Sequence, residues 1–106
     1  MPRQNRAELT RSSGNVFVDL GFSPEEAEHL LVRSDLMIYL QKEITSRGLN
    51  GAQAAKTLRV PLSRFRDLLR GRVDLFTTDA LIDMLARLDV HVRLVLKGSR
   101  RRLKVA

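Results

Sequence analysis

The 106-residue chain has no cysteine. That excludes disulfides, thiol catalysis and cysteine-ligated zinc or iron–sulfur sites together, and it fits a reducing compartment. Long apolar runs are also missing. No stretch approaches the roughly 18 apolar residues of a membrane span, and the opening MPRQNRAELTRSSG lacks the apolar segment of a secretory signal. The expectation is a cytoplasmic protein without membrane contact. Constellations for catalysis are absent too. His29 and His91 fall on different segments with no ligand spacing between them, no phosphate-binding loop of the Walker type occurs, and the scattered serines have no adjacent His and Asp. The expectation is a non-enzyme that needs no cofactor and no metal.

What remains is an apolar fraction of 43%, enough for one small core, and a charge excess. The formal net charge is +7 with a sequence pI near 11.0, which points to a polyanionic partner. The excess is not evenly spread. Residues 1–29 carry more acids than bases, whereas Lys56, Arg59, Arg64, Arg66, Arg70 and Arg72 face only Asp67 within their stretch. A second basic run closes the chain, in GSRRRLKVA.

The order of elements follows from caps and periodicity. Residues 1–14 are polar and aperiodic and read as a flexible tail. NVFVDLGF, 15–22, alternates Val16, Val18 and Leu20, which suits a short strand or an extended arm. SPEEAEHLLV opens a helix with Ser23 as N-cap, Pro24 in the first position and Glu26 placed to close a capping box, with Ala27, Leu30 and Leu31 on the apolar face. A second helical run is expected from about Asp35 to Arg47, carrying Leu36, Met37, Leu40 and Ile44 and stopped by Gly48. Asn50 caps a helix over 51–58 whose apolar positions are Ala54, Ala55 and Leu58. After RVPLS comes a helix over 62–69 that buries Phe65, Leu68 and Leu69 and leaves Leu62, Ser63, Arg66 and, at the flank, Arg64 outside. Thr77 or Thr78 caps a last helix to about Leu88, with Leu81, Ile82, Leu85 and Leu88 inward. VHVRLVLK, 90–97, alternates Val90, Val92, Leu94 and Leu96 and predicts a β-strand. Residues 99–106 read as a basic tail. The domain therefore runs over 15–98.

Two short helices joined by a tight turn, with alanine where they cross and basic groups outside on the second, form a helix-turn-helix pattern. A helix with its side chains fits the DNA major groove, and its first residues reach base edges. Leu49, Asn50, Gly51, Ala55, Leu58, Arg59, Val60, Pro61 and Phe65 fall on the pattern of the Xre family, and the sequence resembles its lambda-repressor-like DNA-binding domains. Three positions depart from that pattern. Gly51 stands where the family has a phosphate-binding Gln, so that Gln53 would substitute from the next turn. Arg59 replaces the turn Gly, and Pro61 replaces the serine cap. From about Ser13 to Lys97 the chain is similar to HigA-type antitoxins, which resemblance implies a dimeric repressor that also neutralises a RelE-like, ribosome-dependent mRNA endonuclease.

The fold class expected is mostly α: a lambda-repressor-like domain of five helices with a C-terminal β-strand. Base contacts are expected from Leu62, Ser63, Arg64 and Arg66, and phosphate contacts from Gln53, Lys56, Arg59, Arg70 and Arg72. Asp19, Glu25, Glu26 and Glu28, opposite in sign to the basic patch, are expected at the toxin interface. Val92, Leu94 and Leu96 would form a dimer strand, so that a homodimer meets a palindromic operator in double-stranded DNA. Two alternatives stand beside this reading: a protein-interaction module with a degenerate helix-turn-helix, and a stand-alone Xre-type regulator without a toxin.

Overall fold

Ser23, Asn50 and Thr77 each start a helix in the computed structural model of the chain, which describes residues 15–98. Each side-chain oxygen accepts a hydrogen bond from the backbone N–H three residues on, at 3.0–3.1 Å, satisfying a donor that has no partner inside the helix. The helices are α1, Val16–Asp19; α2, Pro24–Ser46; α3, Gly51–Leu58; α4, Leu62–Leu69; and α5, Thr78–Arg87, with a 3₁₀ turn over Val73–Leu75 between the last two. The tails expected at 1–14 and 99–106 lie outside the described residues.

Two of the expected helices are one. α2 runs unbroken for 23 residues, where the sequence suggested a break near Ser34 and Asp35. Both residues are possible caps, but no Gly or Pro interrupts the chain there, and the apolar face continues from Ala27 through Leu30 and Leu31 to Met37, Leu40 and Ile44. Extending a helix costs far less than nucleating a new one. α2 ends where Gly48 takes φ +66°, with Gly48 N–H on the Thr45 carbonyl and Leu49 N–H on the Ile44 carbonyl.

Segment 15–22 is neither strand nor extended arm. Asn15 caps a single helical turn by accepting from the Phe17 N–H at 2.9 Å, and Gly21 at φ +99° ends it. The alternation of Val16, Val18 and Leu20 reported no buried face, since all three are exposed. Instead Phe17 meets Phe22 edge-on, ring centroids 6.1 Å apart, and α1 packs on α2 at its N-terminal end, where Ala27 is fully buried.

Among the described residues no β-strand forms, and the C-terminal strand expected at 90–97 has no ladder partner. A strand needs a second strand to satisfy its backbone. Segment 15–22, which could have supplied a short strand, forms α1 over Val16–Asp19 instead. Val90 and Val92 nevertheless pack against the core.

That core gathers Leu36, Met37, Leu40 and Ile44 of α2, Ala54, Ala55 and Leu58 of α3, Phe65 and Leu68 of α4, Phe76 of the following loop, and Leu81, Met84, Leu85 and Leu88 around α5. Ala54 and Ala55 let α3 and α4 approach closely, as the sequence indicated. Leu69, expected inside, is 51% exposed instead. It lies one helical repeat from Leu62 along the flank of α4, and both line an open apolar trough of about 580 Å³ with Ile44, Leu49 and Phe65.

Candidate nucleic-acid interface

Arg59 determines how α4 leaves α3. It adopts φ 59°, ψ 44°, the left-handed conformation that this turn demands, while its N–H bonds the Lys56 carbonyl and Val60 N–H bonds that of Ala55. A non-glycine residue there carries a steric cost of about 1 kcal/mol. Arg59→Gly is therefore expected to raise the melting temperature by roughly 4–8 °C, as about 1 kcal/mol does in a domain of this size, while weakening DNA binding. A calorimetric scan beside a binding titration checks both signs. Pro61 then fixes the first residue before α4 but supplies no side-chain cap, so the leading N–H groups of α4 have no side-chain partner from it.

Four side chains clamp backbone carbonyls at the ends of these elements. Gln41 Nε2 donates to the Leu68 carbonyl at 2.7 Å, holding the end of α4 against α2. Arg87 Nη1 donates to the Leu58 carbonyl at 2.8 Å, holding the end of α3 against α5. Arg33 Nη1 donates to the Phe76 carbonyl at 3.3 Å, and Arg64 Nη1 donates to that of Leu75 at 2.9 Å. The Leu68 carbonyl also accepts the Gly71 N–H, and each of the four bonds ties a helix or turn end to a second element.

With Phe65 and Leu68 inward, the helical period turns Ser63 and Arg66 outward on α4, and Arg70 at its C-cap is exposed as well. Leu62, 40% exposed, flanks them on the trough side. Gln53 and Lys56 are exposed on α3, three residues apart and away from its buried Ala54 and Leu58. Since α4 has 8 residues, it is about 12 Å long, with Arg59 before it and Arg70 and Arg72 after it. The structure thus brings Leu62, Ser63, Arg66 and Arg70 together and brackets them with cations.

Two expected contacts are engaged elsewhere. Arg64 lies on the opposite flank from Leu62, its guanidinium 4.3 Å from the centre of the Phe76 ring and bonded to the Leu75 carbonyl. Arg72 pairs with Asp74 at 3.5 Å across exposed surface. Phe76, 1% exposed, was missed by sequence reasoning because it lies outside every periodic segment. The only signal available was its place directly before the Thr77 cap, where an apolar residue commonly packs back onto the helix it precedes.

Glu25, Glu26 and Glu28 are exposed on the first turns of α2 and Asp19 is exposed on α1, which packs on α2 and also carries exposed Val16 and Val18, with Leu20 and Phe22 exposed after it. His29 and His91 are exposed, His91 lying 3.9 Å from Asp89, and among the described residues no group of three metal-ligating side chains occurs. No helix there is long and apolar enough to cross a membrane.

A family model described as a helix-turn-helix domain matches residues 16–97. The chain belongs to that family. Its α3 and α4 are the helix pair, and α4 is the helix that such domains present to DNA. The match takes in the arm from α1 and the segment after α5 as well as the helix pair, and membership points to a DNA-binding regulator. No curated protein matches the chain at a significant level.

Proposed function

We propose that the protein is a sequence-specific transcriptional repressor and antitoxin, a homodimer that binds a palindromic operator and neutralises a RelE-like mRNA endonuclease. The observation that carries the DNA half is the outer face of α4, where Leu62, Ser63, Arg66 and Arg70 stand together between cations at both ends of the helix. Leu62, Ser63 and Arg66 read base edges; Arg66 suits the paired acceptors of guanine. Lys56, Arg59 and Arg70 hold phosphates, Gln53 adds a neutral donor, and Arg72 joins them on leaving Asp74. Arg64 braces α4 through Phe76 and Leu75. Selection from random duplexes should yield a two-fold symmetric site with half-sites about 34–36 Å apart. Recovery of no preferred sequence rejects the repressor and leaves the interaction module with a degenerate helix-turn-helix.

Support for the antitoxin half is the pairing of exposed apolar side chains with acids on the α1–α2 arm, which suits a basic protein with an apolar face. Along α2, Ala27 under the arm and Gln41 beside α4 are about 21 Å apart, so the two surfaces leave room for both partners. Removing residues 1–22 keeps Ser23 and α2 intact. A cut after residue 34 would instead halve α2 and remove the Arg33 bond to the loop. The shorter truncation is expected to lose binding to the toxin-like product of an adjacent reading frame while retaining the helical circular dichroism of the core. Undiminished capture would leave the stand-alone regulator.

A further inference from the structure

One acid stands within the basic face. Asp67 is the single carboxylate between Lys56 and Arg72, a stretch that carries six cations. It follows Ser63 by four residues and precedes Arg70 by three, which places it about 40° round the helix from the first and about 60° from the second. Asp67 therefore shares the outward side of α4 with Ser63, on the flank away from Leu62, and it is partly exposed there. Nothing local accounts for it. The residue lies in the last turn of α4, where the helix dipole disfavours a negative charge. Among the described residues no ion pair joins it to Arg64, Arg66 or Arg70, and the Arg64 guanidinium is held by Phe76 and Leu75 instead. On a surface that meets phosphates, a lone carboxylate costs affinity for every sequence. Only a donor on a base edge offsets that cost.

Resting on the reading of α4 as the helix that enters the major groove, we infer that Asp67 is a specificity-determining residue that selects cytosine at one base-pair position of the operator. An ionised carboxylate accepts hydrogen bonds and donates none. In the major groove guanine presents the acceptors N7 and O6 and thymine presents O4, so both repel it. Cytosine presents the N4 amino donor. Adenine has a donor at N6 but sets the N7 acceptor beside it, against the second carboxylate oxygen. One side chain thus favours cytosine and penalises guanine at the same place. Its neighbour Arg66 has the opposite charge and the opposite preference, and points about 100° away round the helix. Asp67 also lies about 7.5 Å along the axis from Leu62, roughly two base steps, so the two address different base pairs.

The test measures full-length Asp67→Ala and Asp67→Asn on the operator recovered by selection, on its single-base variants and on a non-operator duplex. Unchanged helical circular dichroism checks that both variants fold. In the unaltered protein, guanine in place of the selected cytosine should cost roughly 5–150-fold, the range of a mismatched base pair. Asp67→Ala is expected to lose preference at that position alone while binding the non-operator duplex several-fold more tightly. Asp67→Asn, able to bond N6 and N7 of adenine together, should move the preferred base from cytosine to adenine. If Asp67→Ala instead strengthens binding to all duplexes by one factor and keeps every preference, Asp67 is only a repelling surface charge. That outcome overturns the inference and leaves the repressor standing. A change of preference at a position where the unaltered protein selects a base other than cytosine also overturns it. An unaltered protein with no preferred sequence rejects the repressor, and this inference with it.

Discussion

Raising the salt concentration from about 50 to about 200 mM is expected to cost operator affinity about 10⁴-fold, because each neutralised phosphate releases condensed counterions with a slope of roughly −0.9. If Lys56, Arg59, Arg70 and Arg72 each hold a phosphate in both protomers of the proposed dimer, the logarithmic slope is about −7. Lys56→Ala removes a contact from both halves and should flatten that slope by about two, with the preferred sequence unchanged. Arg66→Ala should do the reverse, loosening preference at one position of each half-site by about 1–3 kcal/mol with a smaller change in slope. Arg72 divides the outcomes further. If it keeps Asp74, 3.5 Å away, the slope of the unaltered dimer falls to about −5, and Asp74→Asn restores the difference. A slope near zero would remove the phosphate assignments altogether.

The same geometry explains which parts of this molecule could be read without coordinates. α3 and α4 have the ends that the sequence predicts because the information is local. Asn50 caps, Pro61 sets the turn, and Ala54, Ala55, Phe65 and Leu68 fall on one face of each short helix. The left-handed Arg59 was legible for the same reason, since the turn demands that conformation whichever residue occupies it. Where the outcome depended on something distant, the sequence was silent. A separate helical run reads from about Asp35, yet the uninterrupted apolar row makes it one helix with the turns before it. Leu69 reads as core by spacing and is exposed because, among the described residues, no element covers that flank of α4. Arg64, three residues into α4, reads as a base contact by position. Its engagement depends on Leu75 and Phe76, eleven and twelve residues further on, which periodicity cannot connect to it. The row at 90–97 reads as a strand, but a strand is a property of two segments, and among the described residues no second one pairs with it.

Phe76→Ala is expected to be the most damaging single substitution near the interface. The ring is 1% exposed within the core, and emptying such a site costs roughly 3–5 kcal/mol, a large share of the 5–15 kcal/mol that holds a typical domain together. At roughly 4–8 °C per kcal/mol, the melting temperature should fall by at least about 12 °C. The side chain also has a second task, because it supports Arg64, whose guanidinium stacks on the ring at 4.3 Å and bonds the Leu75 carbonyl. A cation over an aromatic face is worth about 0.5–2 kcal/mol depending on its exposure. Phe76→Leu separates the two tasks, because it keeps most of the apolar volume and removes the π face. In a double-mutant cycle with Arg64→Ala, the pair should therefore show a coupling of about 0.5–2 kcal/mol. As a brace on α4, Arg64 affects every DNA sequence alike. Both single substitutions should then weaken operator and non-operator binding by the same factor, leaving the selected sequence as it was. If Arg64→Ala instead changes the base preferred at one position while Phe76→Leu leaves preference intact, Arg64 leaves the ring on binding and reads DNA directly. A coupling of zero would show that the stacked arrangement contributes nothing to holding α4.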